Sequence, residues 1–219
     1  MIASELISKT LAPLRTSDTG EEALTIMNIY HVKHLPIVNN EQLLGVVSEE
    51  DVLVSDMGEA VGSYNLSLIK PFVNQKDHLF EVMSMMAENK LSVIPVIDDD
   101  ENYLGLITQE DLIQFYAKSF SFTEPGSIMV LETKKRDYSL AEISRIVEEE
   151  SAAILSCFLS ENGDSDSVFV TLKINKQDLQ KIMASFERYD YIIKGSFSED
   201  EYIDELKERY DSLMNYLNV

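Results

Sequence analysis

Cysteine is nearly absent. The 219-residue chain holds one, Cys157, which excludes an intramolecular disulfide framework. It lies in the apolar run Ile154-Leu155-Ser156-Cys157-Phe158-Leu159, where a thiol packs as a small hydrophobe. Basic residues are also few: 18 Lys and Arg stand against 39 Asp and Glu, a formal charge of -21. Nucleic-acid binders neutralise phosphates with clustered cations, and anionic membrane surfaces ask for the same, so both partner classes are excluded by charge. No run approaches the roughly 18 to 20 apolar residues of a membrane span. The first residues, Met1-Ile2-Ala3-Ser4-Glu5, lack a basic n-region and a long apolar h-region, and the expected address is a reducing cytoplasm. Three histidines and one cysteine leave little material for a nucleophile–base pair. Walker A, Gly-x-Ser-x-Gly and metalloprotease-helix motifs are missing, so we expect no catalysis. What the chain does have is 45% apolar residues, enough for ordinary cores.

It also has an internal repeat. His34-Leu35-Pro36-Ile37-Val38 and Val93-Ile94-Pro95-Val96-Ile97 place their prolines 59 residues apart. At that offset Asp18 falls on Asp77, Glu22 on Glu81, Leu24 on Met83 and Met27 on Met86. Further on, Gly45-Val46-Val47-Ser48-Glu49-Glu50-Asp51 matches Gly105-Leu106-Ile107-Thr108-Gln109-Glu110-Asp111 at an offset of 60. One residue is therefore inserted in the polar turn between, Asn39 to Gln42 in one copy and Asp98 to Asn102 in the other, where insertions do least damage. Each copy reads as a helix beginning at Asp18 or Asp77, a strand holding the proline, a turn, a short strand, and a helix from Glu49 or Gln109. Glu21 after Asp18 suits a capping box. The Met83-Ser84-Met85-Met86 stretch reads as core filling.

Residues 119–197 break the pattern. Ser127 to Thr133 reads as a strand and Ser139 to Glu150 as a helix. Two strands follow, Ala153 to Ser160 and Ser167 to Ile174, around the turn signal Asn162-Gly163. A helix over Asp178 to Tyr189 and a strand over Tyr191 to Phe197 complete a βαββαβ order, the split pattern of ferredoxin-like domains. The tail from Ser198 to Leu217 is acidic, with Tyr202, Ile203, Leu206, Tyr210, Leu213 and Leu217 at helical spacing, a stripe expected to dock on the body or on a second subunit. The expected fold class is α+β, with domains at 1–62, 63–118, 119–197 and a helix over 198–219.

An apolar-Pro-apolar strand followed by Gly-x-x-[Ser/Thr]-x-x-Asp, present twice, resembles the CBS domain, and two in tandem resemble a Bateman module. The βαββαβ remainder resembles an ACT domain. A CBS pair followed by ACT is similar to acetoin-utilisation-type regulatory proteins. The resemblance implies adenosine-containing ligands such as AMP, ADP or ATP in clefts between the repeats, with magnesium a further candidate and no cofactor required. It implies a homodimer, and ACT domains that bind amino acids at shared interfaces or merely pair with one another.

In that resemblance Ser48 and Thr108 donate to a phosphate, and Asp51 and Asp111 accept from the hydroxyls of a ribose. A helix N-terminus presents free N–H groups to such an anion. The same four residues equally form an N-cap arrangement that stabilises each helix by about 1 kcal/mol. The motif glycines let the chain turn sharply or let a ligand come close. Leu35, Pro36, Ile94 and Pro95 fit an adenine slot and core packing alike. Arg15, Lys33, His34 and Lys90 are the phosphate candidates, with His31, Lys76 and His78 nearby. They do not align across the copies, since Lys33 matches Ser92 and Arg15 matches Asn74. His31 and His34 lack a third metal ligand at a recognisable spacing.

The turn Lys134-Lys135-Arg136-Asp137-Tyr138-Ser139 lacks the Pro-Gly that amino-acid-binding ACT domains often carry, and Asp137 or Ser139 reads as a helix cap. Three readings follow: a nucleotide-sensing regulatory module, an interaction protein with vestigial clefts, and an amino-acid sensor. The charge divides into -12 for residues 1–118 and -9 for the rest. All three histidines fall in the first part. A nucleotide there is held by hydroxyls, helix ends and a few cations against the global field, so its affinity is expected to be modest and sensitive to salt or magnesium.

Overall fold

The computed structural model describes residues 1–67, 70–161, 163, 166–198, 212, 214 and 216. The expected stripe of the tail and Asn162 of the turn lie outside the described residues. The chain divides into two compact units, Met1–Phe115 and Tyr116–Val219, each a mixture of helices and strands.

In the first unit each repeat builds a three-stranded sheet. Strand β1 (Leu14–Arg15) runs parallel to β2 (His34–Asn39), which pairs antiparallel with β3 (Gln42–Ser48). The second repeat gives β4 (Val73–Asn74), β5 (Val93–Ile97) and β6 (Tyr103–Thr108) in the same arrangement. The prolines lie in the central strands, where a missing N–H is normally costly. Here β1 lies opposite Ile37 and Val38, and β4 opposite Val96 and Ile97, so each proline falls beyond the end of its short parallel neighbour. Both hairpins carry a bulge, between Ile37 and Val38 and between Val96 and Ile97. These push Leu44 and Leu104 outward, leaving both exposed.

Helix α1 (Gly20–Tyr30) starts one residue later than Asp18 predicts. Thr19 is the cap: its hydroxyl accepts from the Glu22 N–H, and the Glu22 carboxylate accepts from the Thr19 N–H at 2.8 Å. Asp18 instead accepts from the Arg15 N–H at 2.8 Å. The other helices of this unit are α2 (Glu49–Val54), α3 (Leu79–Glu88) and α4 (Gln109–Ser119), the last running across the division between the units. His31 after α1 and Lys90 after α3 both adopt left-handed backbone, with φ of 53° and 52°, the cap conformation usually filled by glycine.

The repeats exchange segments. Residues 2–8 lead into the first repeat but pack on the second: the Ala3 N–H donates to the Asp77 carbonyl at 2.9 Å and the Ser8 N–H to the Leu106 carbonyl at 2.8 Å. Residues 61–67 lead into the second but pack on the first, with the Val61 N–H on the Asp18 carbonyl at 2.8 Å. The core is shared accordingly, since Leu14, Leu35 and Val47 cluster with Val93 and Leu106.

The second unit holds β7 (Ser127–Lys134), α5 (Leu140–Glu149), β8 (Ile154–Glu161), β9 (Ser167–Ile174), α6 (Gln180–Arg188) and β10 (Ile192–Phe197). The sheet is antiparallel throughout, in the order β10-β7-β9-β8. Alternate residues of β9, Val168, Val170, Leu172 and Ile174, are buried, as period-two pleating requires. Met129, Leu131, Val170 and Leu172 pack with Ile143, Ile146, Ile182 and Phe186 of the two helices. Ser139 caps α5, its hydroxyl accepting from the Glu142 N–H at 3.3 Å. Burial raises the Cys157 thiol pKa against an opposing hydrogen bond with Tyr138, the setting of an unreactive structural thiol.

Candidate functional site

The strands β3 and β6 deliver Ser48 and Thr108 to the starts of α2 and α4. The Ser48 Oγ donates to Asp51 Oδ2 at 2.7 Å, the Ser48 N–H donates to the same oxygen at 2.9 Å, and the Asp51 N–H returns to Ser48 Oγ at 3.0 Å. Thr108 and Asp111 repeat this at 2.6, 3.0 and 3.0 Å. Both pairs are therefore complete capping boxes. The cap role that the spacing allows is realised in each repeat, and any ligand contact has to use what the caps leave over.

What they leave differs. Asp51 is buried, 5% exposed, and its second oxygen, Oδ1, accepts from the Ser67 N–H at 3.1 Å. Burial alone would raise the pKa of this carboxyl. The hydrogen bonds from Ser48 and Ser67 outweigh it and hold the carboxyl below its usual range. Asp111 is partly exposed, and among the described residues nothing bonds its Oδ1.

The other candidates scatter. Leu35, Pro36, Ile94 and Pro95 are all buried, Leu35 among core side chains of both repeats. Arg15, Lys33 and Lys90 are exposed, and the Lys33 ammonium stands 3.9 Å from Glu49. His34 is half-buried and turned toward the second repeat, where its Nδ1 accepts from the Ser92 N–H at 3.1 Å and meets the Ser92 hydroxyl at 3.1 Å. The Lys33 N–H also donates to that hydroxyl, at 2.8 Å. Among the described residues no three His, Cys, Asp or Glu side chains are placed to hold a metal ion. No described helix is long and apolar enough to cross a membrane.

Ser67 and Ser92 carry these differences and were not legible as site residues. Leu66 and Ile7, beside the motif glycines, carried a signal: they stand 59 apart, like the prolines. A Cβ built on Gly45 would lie 2.5 Å from Leu66 Cδ1, and one on Gly105 would lie 2.4 Å from Ile7 Cγ2. The space beside each glycine is thus filled by the exchanged segment.

The Ser92 N–H requires an unprotonated Nδ1 on His34. Burial lowers the His34 pKa below its usual 6.5, against the opposing pull of Asp51, Glu50 and Glu49 and with the help of Lys33. A lowered histidine pKa gives stability that is full above 6.5 and is lost as pH falls through the folded-state value. Wild-type protein is therefore expected to lose thermal stability between pH 7.5 and 5.5 more steeply than His34→Gln. Parallel melting curves for the two would refute this assignment.

Residues 3–58 and 68–118 match the CBS domain. These two stretches, one in each repeat, make a tandem CBS pair. An inosine-5'-monophosphate dehydrogenase of Methanocaldococcus jannaschii is 28% identical over 116 residues, 51% of this chain and 23% of that protein. The chain thus spans about a quarter of that relative's length. A CBS domain pair/ACT domain protein from Thermotoga maritima superimposes with a TM-score of 0.48 at 22% identity, over 54% of this chain and 98% of that one. A Vibrio cholerae protein assigned to acetoin utilization gives 0.48 at 21% identity, over 56% and 95%.

Proposed function

We propose that the chain is a non-catalytic regulatory module whose CBS pair senses an adenosine-containing small molecule such as AMP, ADP or ATP. The observation that carries this reading is the doubled Gly-x-x-[Ser/Thr]-x-x-Asp set at two strand-to-helix junctions, with a carboxylate oxygen of Asp111 left over, among the described residues, for a ribose hydroxyl. In this reading residues 1–118 hold both CBS repeats, bounded as 1–62 and 63–118. The βαββαβ order of residues 119–197 and the strand order β10-β7-β9-β8 support a ferredoxin-like, ACT-like second unit. Its turn before α5 holds Lys135–Asp137 in a short 3-10 turn and the Ser139 cap, which disfavours an amino-acid effector there. Occupancy of the CBS pair would be passed on through that unit or across a homodimer in the cytoplasm. Ile29, Leu53, Val54, Phe80 and Ile113 are exposed apolar residues on the helices of the first unit, and they support the homodimer.

Calorimetry on the full chain with AMP, ADP, ATP and S-adenosylmethionine, with and without magnesium, tests the reading. At a ligand concentration 100 times Kd, binding stabilises the protein by about 2.7 kcal/mol, a shift that thermal melts also read. No heat and no melting shift with any of the four overturns it. That result would favour the interaction-protein reading, which the completed capping boxes support. Light scattering reads the homodimer, which predicts twice the 24.9 kDa of the chain.

A further inference from the structure

We infer that the two clefts are unequal: the Asp111 cleft takes the ribose, and the chain itself occupies the Asp51 cleft. The inference rests on the nucleotide-sensing reading and adds which carboxylate is available to the ligand.

The repeats make the comparison internal. Segments 2–8 and 61–67 are equivalent at the offset of 59, and each lays an aliphatic side chain, Ile7 or Leu66, against a motif glycine. The next residue breaks the symmetry. The Ser67 N–H reaches Asp51 Oδ1 at 3.1 Å, whereas its equivalent in Ser8 is spent on the Leu106 carbonyl at 2.8 Å. Asp51 therefore uses both oxygens within the chain, Oδ2 on Ser48 and Oδ1 on Ser67. Asp111 uses Oδ2 on Thr108 and keeps Oδ1 without a partner among the described residues.

A carboxylate that is to accept from ribose hydroxyls needs free lone pairs in reach of the ligand. Asp111 offers them at a partly exposed position. Asp51 is 5% exposed and would first have to release Ser67. The local charge points the same way. The residue after Ser48 is Glu49, and its counterpart after Thr108 is Gln109, so a phosphate beside the first motif meets one more negative charge. The segment carrying Leu66 and Ser67 thus acts as a built-in competitor of any ligand in the first cleft.

Titration of the full chain with ATP tests this. The expected result is one ATP per chain, with affinity reduced at least about tenfold by Asp111→Asn, the cost of losing hydrogen bonds to a charged acceptor. Ser67→Pro removes the competing N–H and is expected to raise the stoichiometry toward two. Ser67→Ala keeps the N–H and stays at one. Two equal sites in the wild type, or a single site indifferent to Asp111→Asn, would overturn the inference while leaving the sensing reading intact. No binding of AMP, ADP, ATP or S-adenosylmethionine by the wild type would overturn the reading itself. Should Ser67→Pro fail to fold, the wild-type stoichiometry and Asp111→Asn decide between these outcomes.

Discussion

Asp51→Ala is expected to lower the stability of the first unit by about 3 kcal/mol, against about 1 kcal/mol for Asp111→Ala. Both variants lose a helix cap. The difference lies in what each carboxylate satisfies and how deeply it is buried. Removing Asp51, itself 5% exposed, takes the acceptor from the N–H of buried Ser48 and from the N–H of exposed Ser67, and the buried orphan donor at Ser48 costs its desolvation. It also removes the hydrogen bond that ties Ser67 to the first repeat. Among the described residues Asp111 holds only the N–H and hydroxyl of Thr108, at a position water can reach. Urea midpoints of the two variants measure this directly, and equal losses would refute the unequal partnering. The pH dependence has a defined sign. The folded-state pKa of Asp51 is held down by Ser48 and Ser67 against its burial, so its contribution is complete above the ordinary carboxylate range. It disappears as pH falls through the folded value. The acid limb of the stability curve should therefore be shallower in Asp51→Ala than in wild type.

Much of this arrangement was legible in the sequence because the repeat supplied its own control. Two prolines 59 apart and two glycines 60 apart located the hairpins, the inserted turn residue and the strand-to-helix junctions. Alternation and helical spacing located the six elements of the second unit. The two-residue strands β1 and β4 were not legible, because a strand of two residues has no period to detect. The start of α1 was misplaced by one residue, because Asp18 and Thr19 are both good caps and the geometry of Arg15 chose between them. The segment exchange could be read only in retrospect, since nothing in a linear pattern says which repeat Ile7 or Leu66 packs on. The tie between His34 and Ser92 was beyond such reading for a further reason. The two residues stand 58 apart, off the repeat register, so the symmetry that revealed everything else pointed away from them. The four site residues were found by their motif, but whether each carboxylate was free depended on one backbone N–H that side-chain identity does not encode.

Gly105→Ala is expected to cost about 3 kcal/mol, and Gly45→Ala about 1 kcal/mol, although the two glycines are equivalent in the motif. Either new methyl group would press on the exchanged segment, at 2.4 Å from Ile7 Cγ2 or 2.5 Å from Leu66 Cδ1. Overpacking of that kind is relieved when the neighbour moves or shrinks. Leu66 meets Gly45 with the end of a flexible side chain, so Leu66→Ala added to Gly45→Ala should recover nearly all of the glycine substitution's own cost. Gly105 carries a second burden. Its φ is 155°, a backbone conformation that residues with a Cβ rarely adopt, and no change at Ile7 removes that strain. Ile7→Ala added to Gly105→Ala should therefore recover only part of the loss. The double-mutant cycles make the contrast quantitative: strong coupling between Gly45 and Leu66 with little residual cost, and partial coupling between Gly105 and Ile7 with a residue of about 1–2 kcal/mol. Full recovery in both pairs would mean that the motif glycines are there solely to admit the exchanged segments. Recovery in neither would place the requirement in the bulged strands themselves, where Gly45 lies opposite Ile37 and Gly105 opposite Val96.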